Sequence, residues 1–234
     1  FRKFYLNLQA SRLKSFEEHL TKQSDSIWSI SPVDAAWFKG WNIHTHHIPV
    51  AVEDGVPVQA IVPMRCFHLG ALDWEPNLQG IEWFLSLVWP LVLDMRPEAE
   101  FHMAGNNTPE HIKSQPENKV TVHGRVSNAE SFSKSHGISI IPLLSGSGIR
   151  IKLLENARIA IPVISTTVGA EGVYNRSRSM IPLADEPLDF AEKLVDLLDH
   201  PEKAKQMGLC LQNDIMTTYS MPSTIKLIDS AWPL

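Results

Sequence analysis

The sequence predicts an α/β protein: a Rossmann-like, doubly wound parallel sheet with helices on both faces, followed by a helical C-terminal tail. Three observations carry that prediction. Short apolar runs ("RCFHLG", "AEFHMAG", "KVTVHG", "GISIIP", "IPVIST") recur and alternate with segments whose apolar residues step by three and four, the pattern of buried parallel strands and amphipathic covering helices. Between two of those runs, "LLSGSGIRIKLLENA" leads from a strand through a Gly-Ser-Gly loop into a helix. Beyond position 187 the periodicity is helical throughout, each segment opening at or near a proline, which is favoured in the first helical turn.

Taken in order, residues 1–23 place Phe4, Leu8, Leu13, Phe16 and Leu20 at roughly helical spacing. "SDSIWSIS" reads as a short strand, Ser31-Pro32 as the cap of a helix reaching Lys39, and "WNIHTHHIPVAV" as a second strand. Pro49 to Pro63 is the linker candidate. After it, "RCFHLG" is a strand, "ALDWEPN" a loop, and Leu78, Ile81, Leu85, Val88 and Val92 one face of a helix. Strand, loop, strand, helix ("NAESFSKS") and strand follow, then the Gly-Ser-Gly loop with its helix, and the strand "IPVIST". "PLDFAEKLVDLLDH", "PEKAKQMGLCLQNDIMTTYS" and "MPSTIKLIDSAW" form the tail.

The 234 residues suffice for one large or two modest domains, and 44% apolar with 20% charged residues is ordinary for a globular chain. A net charge of −5 excludes a general nucleic-acid binder. Two distant cysteines, Cys66 and Cys210, give neither a disulfide framework nor a thiolate metal site, so a cytoplasmic setting is expected. No apolar stretch approaches the ~20 residues of a membrane span, and no signal-peptide pattern opens the chain. Its start, at Phe1 inside a helical segment, reads as that of a fragment or a processed chain.

Chemistry concentrates at 145–155. Ligands of doubly wound sheets bind outside the carboxyl ends of the strands, where this loop lies. Gly146 and Gly148 let backbone N–H groups turn outward, and a helix N-terminus adds partial positive charge. Arg150 and Lys152 then stand at the helix end whose dipole disfavours cations. A bound phosphate reverses that sign, Arg supplying a fork and Lys a point charge, a pairing suited to a diphosphate. Glu155, three residues from Lys152, is placed to accept from sugar hydroxyls. An exposed Lys152–Glu155 pair beside an ordinary tight turn accounts for the same spacing. "GSGIRI" lacks the third Gly of G-x-G-x-x-G, and there is no G-K-[ST].

"IPLLSGSGIRIKLLENARIAIPVISTTVGAEGV" resembles the nucleotide-sugar site of GT-B glycosyltransferases, specifically the retaining family-four group (glycosyl transferases group 1). There the segment runs Pro-Leu-x-x-Gly-x-Gly-x-Arg-x-Lys, then Leu-x-Glu-Ala-Met-Ala-x-Gly-x-Pro-Val-Val-x-Thr, and ends in Gly-x-x-Gly. "HLGALDWEPN", "WFLSLVWPLVLDMRPEAEFHMAG", "VTVHGRVSN" and "FAEKLVDLLDHPEKAKQMG" match in order, and "RLKSFEEHLTKQSDSIWSISPVDAAWF" resembles the end of the family's N-terminal domain. The resemblance implies a remnant of the N-terminal, acceptor-side domain at 1–48, a linker at 49–63, a nucleotide-sugar-binding Rossmann-like domain at 64–220, and a C-terminal helix at 221–234 packing back on the N-terminal part.

It further implies transfer of a sugar, with retention, from a UDP- or GDP-sugar to a glycan or lipid-linked acceptor, as in polysaccharide biosynthesis. No metal or other cofactor is expected, since the family is metal-independent and the chain has no Asp-x-Asp. Arg150 and Lys152 would act as the catalytic cations on the leaving diphosphate. Gly146, Ser147, Gly148 and the Ile149 amide would hold phosphates or sugar, Glu155 the ribose, and Arg125 with Val126 the base. Gly70 would face the same cleft, and Glu171 in "GAEG" would bind donor hydroxyls. The resemblance implies that acceptor contacts and a candidate catalytic His come from the missing N-terminal domain, so this chain is expected to be inactive alone but to bind nucleotide. A peripheral place at the inner membrane face fits a lipid-linked acceptor.

The departures are specific. Ser147 stands where the family's Glu-x7-Glu motif has its first Glu, Arg158 at a small-residue position, and Ala160 at a glycine. "ALDWEPN" replaces an Arg-x4-Lys phosphate clamp, which shifts the anion load onto Arg150 and Lys152. "HTHH" invites a metal reading of His44 and His46, but surface or core roles fit better; the tryptophans, Trp83 and Trp89 among them, are expected in the core, with Trp74 in the cleft-facing loop the one candidate sugar platform. A same-fold nucleotide-sugar epimerase and a non-catalytic nucleotide-sugar-binding subunit are the alternatives.

Overall fold

A computed structural model of the chain describes residues 2–113 and 116–232; residues 1, 233 and 234, which the expected first helix and C-terminal segment include, lie outside them. Five parallel strands form the main sheet: β3 (Arg65–Leu69), β4 (Glu100–Ala104), β5 (Val120–Gly124), β6 (Ile138–Ile141) and β7 (Val163–Ser165), in the order β5-β4-β3-β6-β7. The order reverses between β3 and β6, and the crevice there is where doubly wound sheets take ligands. Every residue of β6 and β7 is buried, as expected of strands covered on both faces.

A smaller parallel pair, β1 (Ile27–Ser29) and β2 (Thr45–His47), lies ahead of this sheet. It follows α1 (Arg2–Gln23) and brackets α2 (Pro32–Lys39). Ser31 caps α2 as expected, its hydroxyl accepting from the Val33 and Asp34 amides. The apolar residues of α1 have helical spacing, but Phe4, Leu8, Leu13, Phe16 and Leu20 are all exposed. The stretch 49–63 is tied down rather than free. Val52, Val58 and Ile61 are buried, and the Val52 and Val58 amides donate to the carbonyls of Tyr219 and Ile159.

"ALDWEPN" is only partly a loop, because α3 starts at Glu75 (Glu75–Trp83) and runs through a π-turn at Phe84–Val88 into α4 (Trp89–Met95). Of the apolar face read from the sequence, Ile81, Val88 and Val92 enter the main core and Leu78 and Leu85 pack partly buried against it, while Phe84, outside that reading, is also buried there. Trp89 packs there at a tilt against Phe84 and Phe101, and Trp83 packs edge-on against Phe190. A short α5 (Glu110–Lys113), read as loop from the sequence, precedes β5, and α6 (Ala129–Ser135), capped by Asn128, precedes β6. α7 (Ile151–Ala157) joins β6 to β7, and α8 (Asn175–Arg178) is a single turn the sequence did not announce.

The tail forms α9 (Pro187–Asp199), α10 (Pro201–Tyr219) and α11 (Met221–Ala231). α9 packs on α4, where Asp199 pairs with Arg96. α10 lies against α7 and crosses the turn after it so closely that a Cβ on Gly208 would meet the Ala160 carbonyl oxygen at 2.1 Å. Past α11, Trp232 packs edge-on against Trp28 of β1.

Candidate functional site

The loop after β6 turns through Gly146 and Gly148, at φ 106° and 87°, angles that L side chains rarely adopt. Both cations expected of this segment are present, but not both inside the helix. Arg150 is the N-cap of α7, extended at φ −93°, with no side-chain cap; Lys152 lies within the first turn. The helix has only two turns, so the site is defined by where these two side chains go.

Lys152 folds back into the crevice between β3 and β6. Its ammonium donates to Asn77 Oδ1 at 2.8 Å and lies 3.4 Å from His68 Nε2. Asn77 is oriented by a second bond, Nδ2 donating to the Ala71 carbonyl at 2.8 Å. His68 Nδ1, 3.2 Å from the Ile140 carbonyl, carries the proton in the tautomer that satisfies both neighbours. Room for the amine comes from Gly70, where a Cβ would lie 2.7 Å from Lys152 Nζ. Burial, reinforced by the nearby Arg150, brings the lysine down to about 7. Burial holds His68 well below the usual histidine range, with Lys152 adding to the effect. Among the described residues, no carboxylate is a partner of the Lys152 amine.

Arg150 is 5% exposed. Its guanidinium donates to the Ser147 carbonyl at 3.0 Å and, at 3.5 Å, to that of Val168. It lies 5.8 Å over the Trp74 ring and 3.9 Å from Glu171 Oε2. Its Nε is buried without a partner. Burial lowers its affinity for the proton while Glu171 opposes that effect; a guanidinium stays charged regardless. Glu171 is carried by the loop after β7, and that loop is set by Gly172. With φ 85°, a Cβ at Gly172 would lie 2.6 Å from the Ile149 Cα, so the two glycine loops touch backbone to backbone. Trp74, 43% exposed, therefore faces a cation, not the core.

Glu155 lies one turn along α7 and half-exposed, its Oε2 accepting from Arg158 Nε at 2.7 Å. Arg158 also reaches Glu130 on α6 at 2.8 Å. These groups line a cavity of about 320 Å³ between α6 and α7, with Lys152 at one wall and Leu69, Ser133 and Asn156 among the others. The structure thus brings together Gly70, Gly146, Ser147, Gly148, Ile149, Arg150, Lys152 and Glu171 around one crevice, with Glu155 in the adjoining cavity. Arg125 lines a neighbouring recess of about 310 Å³ with Gly105, Asn106 and Thr108, where Gly105 abuts Gly70, and Val126 packs on the main core. The sequence reading missed His68 and Asn77; a histidine in an otherwise apolar strand ending at Gly70 was the available signal.

Arg158 and Ala160 explain their own positions. The Arg158 side chain lies largely covered between α7 and α6, held in ion pairs with Glu155 and Glu130. Ala160 adopts φ 59°, the left-handed conformation that favours glycine. Among the described residues "HTHH" joins no group of three metal-ligating side chains: His44 is exposed, His46 half-buried, and His47 is bound to Tyr174 Oη at 2.6 Å and near the Ile30 carbonyl at 3.1 Å.

Residues 63–200 match the sequence profile of the family described as glycosyl transferases group 1. A 44.6 kDa protein in the cps region of Klebsiella pneumoniae is 26% identical over 161 residues, 64% of this chain and 41% of that protein. Among solved structures, a variant of TarM from S. aureus, in complex with fondaparinux, α-GlcNAc-glycerol and UDP, superposes with a TM-score of 0.75 at 12% identity, over 93% of this chain and 46% of TarM. HepE from Anabaena, in complex with UDP, gives 0.54 at 10% identity over 87% and 53%. The chain spans about half, or less, of the length of these relatives.

Proposed function

The chain belongs to the glycosyl transferases group 1 family, and from that premise we propose that it binds the nucleoside-diphosphate sugar of a sugar-transfer reaction in the β3/β6 crevice. The observation that carries the proposal is the Lys152–Arg150 pair: a half-buried and a buried cation at one crevice, the lysine without a carboxylate partner among the described residues and the arginine with its Nε unpartnered. Such a pair is costly until an anion arrives. A diphosphate satisfies both cations at once. UDP in the TarM and HepE structures makes a uridine diphosphate the first ligand to test.

In the proposed reaction the glycosidic bond to the donor phosphate breaks and negative charge grows on the departing diphosphate. Lys152 meets it with a point charge and Arg150 with a fork, both already held in place, so little reorganisation accompanies the step. Asn77 and His68 orient the lysine amine without neutralising it. Gly146, Ser147, Gly148 and Ile149 present backbone to phosphates or sugar, Glu155 is assigned to the ribose, and Glu171 to donor hydroxyls. Arg125 is assigned to the base through its recess at the end of β5. These assignments use side-chain cations in place of a divalent metal ion.

The acceptor hydroxyl, glycan or lipid-linked, is assigned to residues outside this set, so the chain alone is expected to bind the donor without turning it over. Retention of anomeric configuration and a role in polysaccharide biosynthesis, the latter in keeping with the cps-region relative, complete the proposal. No helix among the described residues is long and apolar enough to cross a membrane; a cytoplasmic place, peripheral at the membrane face, is part of the same proposal. Calorimetry with UDP, GDP and their sugars tests it. Binding to at least one, weakened at least about tenfold in Arg150→Ala, is expected; no binding to any, or equal affinity in the variant, overturns it.

A further inference from the structure

Three histidines far apart in sequence meet beside α6, and none of them lines the Lys152 cavity. His102 is mid-strand in β4, His123 lies in β5, and His136 caps the end of α6. The β4–β5 register pairs Met103 with Val122 and then Ala104 with Gly124, so His123 is the extra residue of a bulge, a device that re-aims a side chain. The result is a compact set. His123 Nε2 lies 3.0 Å from His102 Nδ1, and one ring nitrogen from each of the three lies within 4.8 Å of the others.

We propose that His102, His123 and His136 bind a divalent transition-metal ion of the zinc class. With metal–nitrogen bonds of about 2.0–2.1 Å, two ligands of a tetrahedral ion lie roughly 3.3 Å apart. The His102–His123 pair is already near that spacing. The nitrogens facing away from the centre are held as those of metal-bound histidines usually are. His102 Nε2 is 3.4 Å from Glu100 Oε2, which Arg65 Nε holds at 2.7 Å. His136 Nδ1 donates to the Phe132 carbonyl at 2.7 Å, which leaves its Nε2 with a free lone pair. Without metal, His123 Nε2 and His102 Nδ1 share one hydrogen. On metal binding that hydrogen moves to His123 Nδ1, both facing nitrogens become ligands, and no net proton is released.

Phe132 stacks on His136 at 4.2 Å, and ring packing alone would account for that contact. It would not require the His102 and His136 far nitrogens to be engaged while the near ones converge. His123 is exposed, leaving one coordination position open to water or to a fourth ligand. Three neutral imidazoles select zinc, cobalt, nickel or copper over magnesium and calcium. His123 and His136 bracket residues 124–135, the loop after β5 together with α6, so the ion would tie the two ends of that segment to each other and to β4.

The test uses tag-free protein, stripped with a chelator and titrated with Zn²⁺ and with Co²⁺. One Zn²⁺ per chain is expected, with a visible Co²⁺ absorption band of a four- or five-coordinate ion. His123→Ala, a surface change, and His136→Gln should each weaken binding at least about 100-fold, while His44→Ala/His46→Ala leaves it unchanged. Failure of the wild type to bind stoichiometrically, or full binding by His123→Ala, would overturn the assignment.

Discussion

The Lys152 ammonium is held 2.8 Å from the side-chain oxygen of Asn77, in a pocket where its other close neighbour is the neutral His68. A lysine normally sits beside a carboxylate or in water; here an amide dipole orients it and nothing cancels its charge. This relationship makes the site a receptor for an anion, and its consequences are measurable.

The first is a proton linkage. Burial brings free Lys152 to about 7, and a bound diphosphate raises it by favouring the charged form. Between the free and bound values the complex holds more protons than the free protein, so UDP binding takes up a proton and weakens as pH rises above 7, by up to about tenfold per unit. Calorimetry in two buffers of different ionisation enthalpy at pH 8 should show uptake approaching one proton. Lys152→Met should abolish the uptake and weaken binding by about 10- to 100-fold, the worth of one or more charge-assisted hydrogen bonds.

The same lysine shapes the stability of the free protein. Its folded value lies below its unfolded one near 10.4, so the unfolded chain binds more protons between the two. Stability therefore rises with pH from about 7 towards 10 and is lost as pH falls back through that window. Lys152→Met should flatten this part of a denaturant-midpoint profile. An unchanged slope would show that the amine is better solvated than its neighbours imply.

Replacing Asn77 by aspartate changes one atom and supplies the missing counter-charge. Asn77→Asp keeps the acceptor for Lys152 but loses the donor to the Ala71 carbonyl, so a modest loss of stability of about 1 kcal/mol is expected in a chain that still folds. UDP affinity should fall by at least about tenfold as the lysine becomes internally neutralised, and proton uptake on binding should shrink. Equal affinity in the variant would mean that Lys152 does not meet the diphosphate.

Trp74 lies under the Arg150 guanidinium at 5.8 Å, so its effect on the donor should pass through that cation. A cation–π contact of about 0.5–1 kcal/mol predicts that Trp74→Ala loses roughly two- to fivefold in affinity, equally for UDP and for UDP-sugar. A loss confined to the sugar nucleotide would instead make Trp74 a sugar platform.

Ala160 keeps a Cβ at φ 59°, where glycine has no penalty. Ala160→Gly should stabilise the protein by about 1 kcal/mol, raising Tm by about 2–4 °C in a chain of this size. The neighbouring Gly208→Ala should destabilise strongly, since the added carbon would meet the Ala160 carbonyl at 2.1 Å. Thermal unfolding of both variants checks the pair.

The sheet was legible because parallel strands buried on both faces read as apolar runs, as Ile138–Ile141 and Val163–Ser165 show. The Gly146–Lys152 segment was legible because glycines and cations adjacent in sequence are also adjacent in space. Asn77 and His68 were not, since only the order β3-β6 places them beside Lys152. The His102, His123 and His136 set was hidden for the same reason, with a bulge needed to complete it, whereas the conspicuous "HTHH" forms no such set. Arg125 was placed by motif position, and it lines the recess beside Gly105, next to Gly70.

The most direct measurement is a crystal structure of the chain with UDP bound. A diphosphate oxygen is expected within about 3 Å of Lys152 Nζ, with Arg150 turned to meet the same group through its unpartnered Nε. Nucleotide ordered elsewhere, with Lys152 still held only by Asn77 and His68, would contradict it.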